Sequence, residues 1–234
     1  GSRLTKEMCD RWKQMGLNRI TVSLDTLRSE RKDAITRSFT PLDTVIRAIN
    51  MARDAGLTPV KVNAVVMRGV NDDELQEFAD FAIEHDVDMR LIEFMALDAG
   101  RNWSMESVVP AKEMLEVISR KHTLVKEDDS ASSTSMNYKF ADGTSVGGRI
   151  GFIASVTNSF CLGCDRIRMM ADGTVRPCLF SDEEWSIRSL LRAGADEESL
   201  QQFFRDATFA KSAGHGMGRE DFVRPEKTMS TIGG

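Results

Sequence analysis

Strand and helix patterns alternate through the first half of this chain, and that rhythm restricts its fold more than any other feature. "NRITVSLD" (18–25), "PVKVNAVVM" (59–67) and "DMRLIEFMAL" (88–97) read as strands, rich in β-branched and apolar residues. Between them lie helical patterns. Leu42, Val45, Ile46 and Ile49 recur at helical spacing, with Thr40-Pro41 as N-cap and first-turn proline and Gly56 at the C-cap position. Asn71 to Glu74 forms a capping-box arrangement that starts "ELQEFADFAIEHD" (74–86). A helix over 5–15 stops at Gly16, and "AKEMLEVISRK" (111–121) follows Pro110. Alternation at this spacing predicts parallel βα units, in a barrel or an open sheet. The chain opens on a helix with no strand before it, so the series reads as joined partway.

The texture changes near residue 123. "EDDSASSTSMN" (127–137) is a polar, serine-rich connection, and "YKF", "GRIGFIASV", "RIRMMA" and "TVRPCLF" beyond it read as short antiparallel strands. Asp172-Gly173 predicts a type I′ hairpin between the last two. Helices are expected around 186–193 and 196–210, followed by a glycine-rich tail ending on Gly233-Gly234.

With 234 residues the chain suits one large domain or two small ones. Its net charge of −5, from 31 basic and 36 acidic residues, argues against general nucleic-acid or anionic-membrane binding. No window approaches the roughly 18 apolar residues of a membrane span, and no secretory signal is visible. Three of the four cysteines are clustered, which in a cytoplasmic protein points to a metal centre or redox chemistry.

Polar residues interrupt strands that should be dry. Lys61 and Asn63 alternate against Val60, Val62, Ala64 and Val66; Thr21 and Ser23 share a face; Arg90 and Glu93 interrupt "MRLIEFM". A closed barrel normally fills its interior with branched apolar residues. Serine, lysine, asparagine and arginine on successive strands suggest an interior that holds a polar ligand. The plainer alternative puts them at strand ends, facing solvent.

The sharpest local motif is "FCLGCDRIRMMADGTVRPCLF" (160–180), with its thiols as Cys161-x2-Cys164-x13-Cys178. Two thiols from a tight turn and a third from the returning strand can grip a metal or a cluster. Zinc, completed by His215 as fourth ligand, is the commoner meaning of such spacing. An iron–sulfur cluster on three thiolates would instead leave one iron open. Arg166 and Arg168 sit two apart, so both project from one strand face beside the thiols. Guanidinium forks suit phosphate or carboxylate, and a structural zinc site has no need of them.

Together "GLNRITVSLDTL", "PVKVNAVVMRGVNDDEL", "MRLIEFM", the cysteine motif and the terminal "IGG" resemble the GTP 3′,8-cyclase family of radical S-adenosylmethionine enzymes, in order and over nearly the whole chain. The resemblance implies an α/β fold: an incomplete (βα) TIM-like barrel over 1–122, then a mainly antiparallel C-terminal domain over 123–234. It implies a [4Fe–4S] cluster with an open iron on Cys161, Cys164 and Cys178. S-adenosylmethionine and a second cluster belong to the complete enzyme, which makes a 5′-deoxyadenosyl radical and joins ribose C3′ of GTP to C8 of its base in molybdenum cofactor biosynthesis.

Arg166 and Arg168 match catalytic substrate contacts of that family. Lys61 and Arg90 match GTP-binding positions, and Ser23, Asn63 and Met95 match S-adenosylmethionine-side positions. Gly233 and Gly234 match a tail required for turnover; a conjugation tail fits the chain's length and βα rhythm poorly. The implied partners are an electron donor and a downstream cyclic pyranopterin monophosphate synthase, with a homodimer compatible. The location implied is cytoplasmic, or the mitochondrial matrix for a eukaryotic source. The family's C-x3-C-x2-C loop is absent and Cys9 is isolated, so the chain reads as the C-terminal portion, inactive by itself. Asp165 and Ser212 are smaller departures, where the family often has asparagine and proline.

Overall fold

A helix that buries one face and a strand that buries one face solve each other's problem by packing, and the first unit of the chain is built this way. The computed structural model describes residues 1–128, 130, 133–141, 147–229 and 232. Packing divides the chain into two compact units, residues 1–94 with 106–157 and residues 95–105 with 158–234.

The first unit runs α1 (Lys6–Gln14), β1 (Thr21–Ser23), α2 (Ser29–Thr36), α3 (Leu42–Asp54), β2 (Lys61–Val66), α4 (Leu75–His85), β3 (Asp88–Glu93), α5 (Ala111–Ser119), β4 (Leu124–Lys126), β5 (Met136–Phe140) and β6 (Arg149–Ile153). Its six-stranded sheet has the order β1-β2-β3-β6-β5-β4. Pairs β1–β2, β2–β3 and β3–β6 are parallel, while β5 is antiparallel to both β6 and β4. The predicted α/β fold with parallel βα units is present. "GRIGFIASV", expected to be antiparallel, is parallel to β3 on one side and antiparallel to β5 on the other. The sequence-based division at residue 122 follows composition, whereas β4, β5 and β6 pack within the first unit.

Period-two patterning fixes which sheet face is dry. In β2 the buried residues are Val62, Ala64 and Val66, and in β3 they are Met89, Leu91 and Glu93. Val62, Met89 and Ile150 are register partners, as are Ala64, Leu91 and Phe152. They join Ile49 of α3, Phe78 of α4 and Met114 of α5 in one core, each fully buried. Each of these side chains except Ala64 is worth about 1.5–3 kcal/mol in transfer from water.

Two expected caps take a different form. Helix α3 begins at Leu42 with Pro41 at the cap and no side-chain cap bond, because Thr40 is engaged with Ser38 instead. The Asn71–Glu74 capping box does not form either. Asn71 accepts from Met67 N–H and donates to the carbonyls of Asp25 and Val65, tying β2 to the segment after β1. Glu74, fully buried, accepts from Thr26 Oγ1 and Leu27 N–H. Both side chains serve tertiary contacts that a local reading cannot contain. Helix α2 was not expected from the sequence, whose hydrophobic pattern there is weak.

Entry to β6 depends on glycine. Gly148 has φ +78°, and a Cβ there would meet the Ala82 carbonyl oxygen of α4 at 2.4 Å. Its N–H donates to the Asp86 carboxylate at 2.7 Å, pinning the strand start to the end of α4. Gly148→Ala combines a left-handed backbone with a clash against main chain, so it should cost roughly 2–4 kcal/mol in a urea melt.

The second unit contains β7 (Arg168–Met169), β8 (Thr174–Arg176), β9 (Trp185–Ser186), α6 (Ile187–Arg192) and α7 (Glu197–Phe209). β7-β8-β9 is an antiparallel sheet. Val175, Ile187, Phe203 and Ala207 form its core. The β7–β8 hairpin is present, but its turn is not type I′, which needs positive φ at both central residues. Gly173 alone has it, at +80°. Gly173 N–H bonds the Met170 carbonyl and Met170 N–H bonds the Thr174 carbonyl, the three-residue loop with a left-handed glycine.

Candidate functional site

On the sheet face opposite the helices, the register lines up polar residues across strands. One row runs Ser23, Asn63, Arg90, Gly151 and Asn137; another runs Thr21, Lys61, Asp88, Arg149 and Lys139. The sequence-predicted Ser23, Lys61, Asn63 and Arg90 are therefore brought onto one face. Glu93 is not among them: it points into the helix side and is fully buried. A Cβ on Gly151 would lie 2.3 Å from Ser135 Oγ and 2.8 Å from Asn137 Oδ1, so both side chains lie over that glycine.

Three atoms of this face, Asn63 Oδ1, Arg90 Nε and Ser135 Oγ, are buried and have no hydrogen-bond partner among the described residues. Each such atom costs about 1–3 kcal/mol when left unpaired, a cost a polar ligand or bound water removes. A cavity of about 720 Å³ opens at the amino ends of the strands, lined by Arg19, Lys61, Arg90 and Arg149 together with Asp88 and Glu127. Glu127 pairs with Lys139 at 2.8 Å and Arg149 at 3.3 Å. Arg19, Lys61 and Arg90 have no carboxylate within ion-pair distance among the described residues.

The electrostatics follow. Burial pushes the Lys61 ammonium pKa down, and the nearby Arg90 and Arg19 push it further, against Asp88. Burial also lowers Arg90, with Asp88 opposing and Arg19 assisting. Burial raises the Asp88 carboxyl, which Arg149, Lys61 and Arg90 partly offset. Unrelieved positive charge on a half-buried face favours an anion. Arg19 and Ser135 were missed from the sequence. Arg19 shares the parity of Thr21 and Ser23, so that signal was present; Ser135 sits in a serine-rich stretch where nothing distinguishes it.

In the second unit the three thiols are free and half-buried. Cys161–Gly163 forms one 3-10 turn, closed by Cys164 N–H on the Cys161 carbonyl at 3.2 Å. Cys164 Sγ receives Lys211 Nζ at 3.3 Å and Arg166 Nη2 at 3.5 Å; Cys178 Sγ receives Phe180 N–H at 3.5 Å. Burial opposes ionisation of the Cys164 thiol. The Arg166 backbone N–H and guanidinium and the Lys211 ammonium outweigh it, so its pKa falls below the ordinary thiol value.

Arg166 stacks over the Phe160 ring at 4.9 Å. Arg168 stands opposite Arg176 in the β7–β8 register and is half-buried. Burial lowers its pKa, Arg166 and Arg176 lower it further, and Cys178 opposes them. Arg176 is fully buried, with Asp182 at 3.4 Å and Glu184 at 3.9 Å as counter-charges. Arg166 and Arg168 have no carboxylate partner among the described residues. Cations gathered at three thiols, with Arg166, Arg168 and Lys211 lacking a carboxylate partner among the described residues, suit thiolate ligands and an anionic ligand together.

His215 Nδ1 accepts from Met217 N–H at 3.0 Å, and the ring packs on Phe180. Among the described residues, no three His, Cys, Asp or Glu side chains converge as ligands for a single metal ion. The thiols of a cluster bind separate irons and stand farther apart. Met95 follows β3 and belongs to the second unit. Gly233 and Gly234 lie outside the described residues.

Residues 87–217 match the model of a family described as Molybdenum Cofactor Synthesis C. The chain belongs to the Molybdenum Cofactor Synthesis C family. Residues 1–82 match the Radical SAM superfamily. A protein named GTP 3′,8-cyclase from Streptomyces coelicolor is 43% identical over 95% of this chain and 64% of its own length. Proteins of the same name from Mycolicibacterium smegmatis and Corynebacterium glutamicum are 40% and 41% identical, over 95% of this chain and 62% and 59% of their lengths. This member of the Molybdenum Cofactor Synthesis C family thus spans about three-fifths of the relatives it matches.

Proposed function

We propose that this chain is the carboxyl-terminal portion of a radical S-adenosylmethionine GTP 3′,8-cyclase of molybdenum cofactor biosynthesis, supplying its substrate-binding cluster and GTP contacts. The observation that carries the reading is a pair of arginines without carboxylate partners among the described residues, Arg166 and Arg168, on a hairpin with three free thiols, one of them drawn toward thiolate. Cys161, Cys164 and Cys178 would hold a [4Fe–4S] cluster. When bound, the cluster supplies one open iron for the guanine base.

The chain's own residues do the rest. Arg166 and Arg168 neutralise and orient the nucleotide beside the thiols. Lys61 and Arg90, with Arg19, bind the triphosphate, since several guanidinium and ammonium groups must replace the water around roughly four negative charges. Ser23, Asn63 and Met95 hold the S-adenosylmethionine side, and Asn63 Oδ1 offers an unsatisfied acceptor there. On this reading the parallel strands form an incomplete TIM-like barrel, and 123–234 with its Gly233-Gly234 tail works as the GTP-binding region. The chain alone turns over no GTP, because its sequence lacks a C-x3-C-x2-C loop. An electron donor, a cyclic pyranopterin monophosphate synthase as consumer of the product, homodimer formation and a cytoplasmic site complete the proposal.

The test is spectroscopic. GTP added to the anaerobically reconstituted, reduced chain should change the EPR spectrum of the cluster. A spectrum indifferent to saturating GTP would remove the substrate-binding role, and a site loaded with zinc instead would favour a structural module completed by His215.

A further inference from the structure

We propose that Lys211 is a positioning residue for the metal centre: it clamps the Cys164–Arg166 segment and raises the reduction potential of the cluster held there. The inference rests on the cluster reading above. Lys211 follows α7 directly, 47 residues from the thiol turn, and its ammonium reaches only that segment. Nζ donates to the Cys164 carbonyl at 2.8 Å, the Arg166 carbonyl at 2.7 Å and Cys164 Sγ at 3.3 Å. An ammonium has three N–H donors, and these three acceptors use them all.

The clamp has a rigid base. Phe203 and Ala207 of α7 are buried against Val175 of β8, and Lys211 N–H closes the end of α7 on the Thr208 carbonyl at 3.2 Å. Among the described residues Lys211 has no carboxylate partner, so a Cys164 thiolate is its nearest counter-charge. A surface lysine would be solvated and mobile; this one is spent on two carbonyls and a sulfur.

The consequence follows from charge. Reduction adds an electron to a cluster already negative through its thiolates. An N–H···S bond from a fixed cation stabilises that added charge, and hydrogen bonds to sulfur are a recognised control of cluster potential. The two carbonyl bonds also set where Arg166 leaves the turn, so Lys211 orients an arginine proposed to meet the nucleotide.

The experiment is a redox titration followed by EPR on the reconstituted chain, comparing wild type with Lys211→Met, Lys211→Gln and Lys211→Arg. Cys9 is the only cysteine outside the hairpin, so the signal reports this centre alone. Iron content of the wild type tests the cluster reading separately: wild type without iron sinks that reading and this proposal with it, whereas iron-loaded wild type leaves the midpoints to decide the role of Lys211 alone. With iron bound, Lys211→Met should shift the midpoint to more negative potential, and Lys211→Arg should lie nearer wild type. A wild-type midpoint in Lys211→Met at equal iron content overturns the proposal. So does an equal shift in Lys211→Arg, which would mean packing rather than charge. If Lys211→Met loses its iron or its fold, Lys211→Gln, which keeps donors but not charge, is judged by the same midpoint.

Discussion

Glu93→Ala is expected to destabilise the first unit by about 3–5 kcal/mol, the scale for leaving several buried main-chain donors without a partner. Glu93 is fully buried and accepts from the N–H groups of Ala111, Val156 and Thr157 at 2.8, 2.7 and 2.8 Å, and from the Thr157 hydroxyl. Among the described residues no cation pairs with it. It is stabilised by oriented amides, including the first turn of α5, where the helix dipole favours negative charge. Alanine leaves three main-chain donors without partners. Glutamine keeps one accepting oxygen and should lose roughly half as much. Chemical denaturation read by circular dichroism checks both, and a loss below about 1 kcal/mol for alanine would show that water can replace the carboxylate. Glu93 also holds the end of β6 just before the chain enters the thiol segment, so the same substitution should lower iron incorporation.

Arg168→Ala should weaken GTP binding to the reconstituted chain by about 10–100-fold, the value of one or two charge-assisted hydrogen bonds. Arg168 is half-buried, lacks a carboxylate partner among the described residues and stands across from Arg176, whose charge is answered by Asp182 and Glu184. Removing an uncompensated cation relieves repulsion inside the hairpin, so stability should hold or rise while binding falls. Titration calorimetry gives the affinity and iron analysis the control. Unchanged affinity at full iron content would assign Arg168 to the strand alone. Arg166→Ala should behave differently, because Arg166 also donates to Cys164 Sγ and should lose some cluster with the nucleotide.

The periodic segments were legible because their physics is local. β2, β3, α3, α4 and α5 fall where alternation and helical spacing put them, since each buries one regular face. The hairpin at Asp172-Gly173 was legible for the same reason, although one glycine carries the turn where two left-handed residues were expected. The failures are tertiary. Glu74 and Asn71 read as a cap, yet their side chains answer Thr26, Leu27, Asp25, Val65 and Met67, whose nearness no local window contains.

The site divides along the same line. Lys61, Asn63, Arg90 and Ser23 stand out as polar breaks in apolar strands, and the thiols and arginines stand out by spacing. Lys211 follows a helix in an unremarkable tail, and only α7 packing on β8 brings it to Cys164. Ser135 becomes visible only through Gly151, whose missing side chain makes room for it.

The central claim is that Cys161, Cys164 and Cys178 hold an open-iron cluster rather than a closed zinc site. Anaerobic iron–sulfide reconstitution, with iron, sulfide and zinc then counted per chain, decides it directly. The account predicts a brown protein with about four irons and four sulfides, lost in Cys178→Ser. A colourless protein carrying one stoichiometric zinc contradicts it.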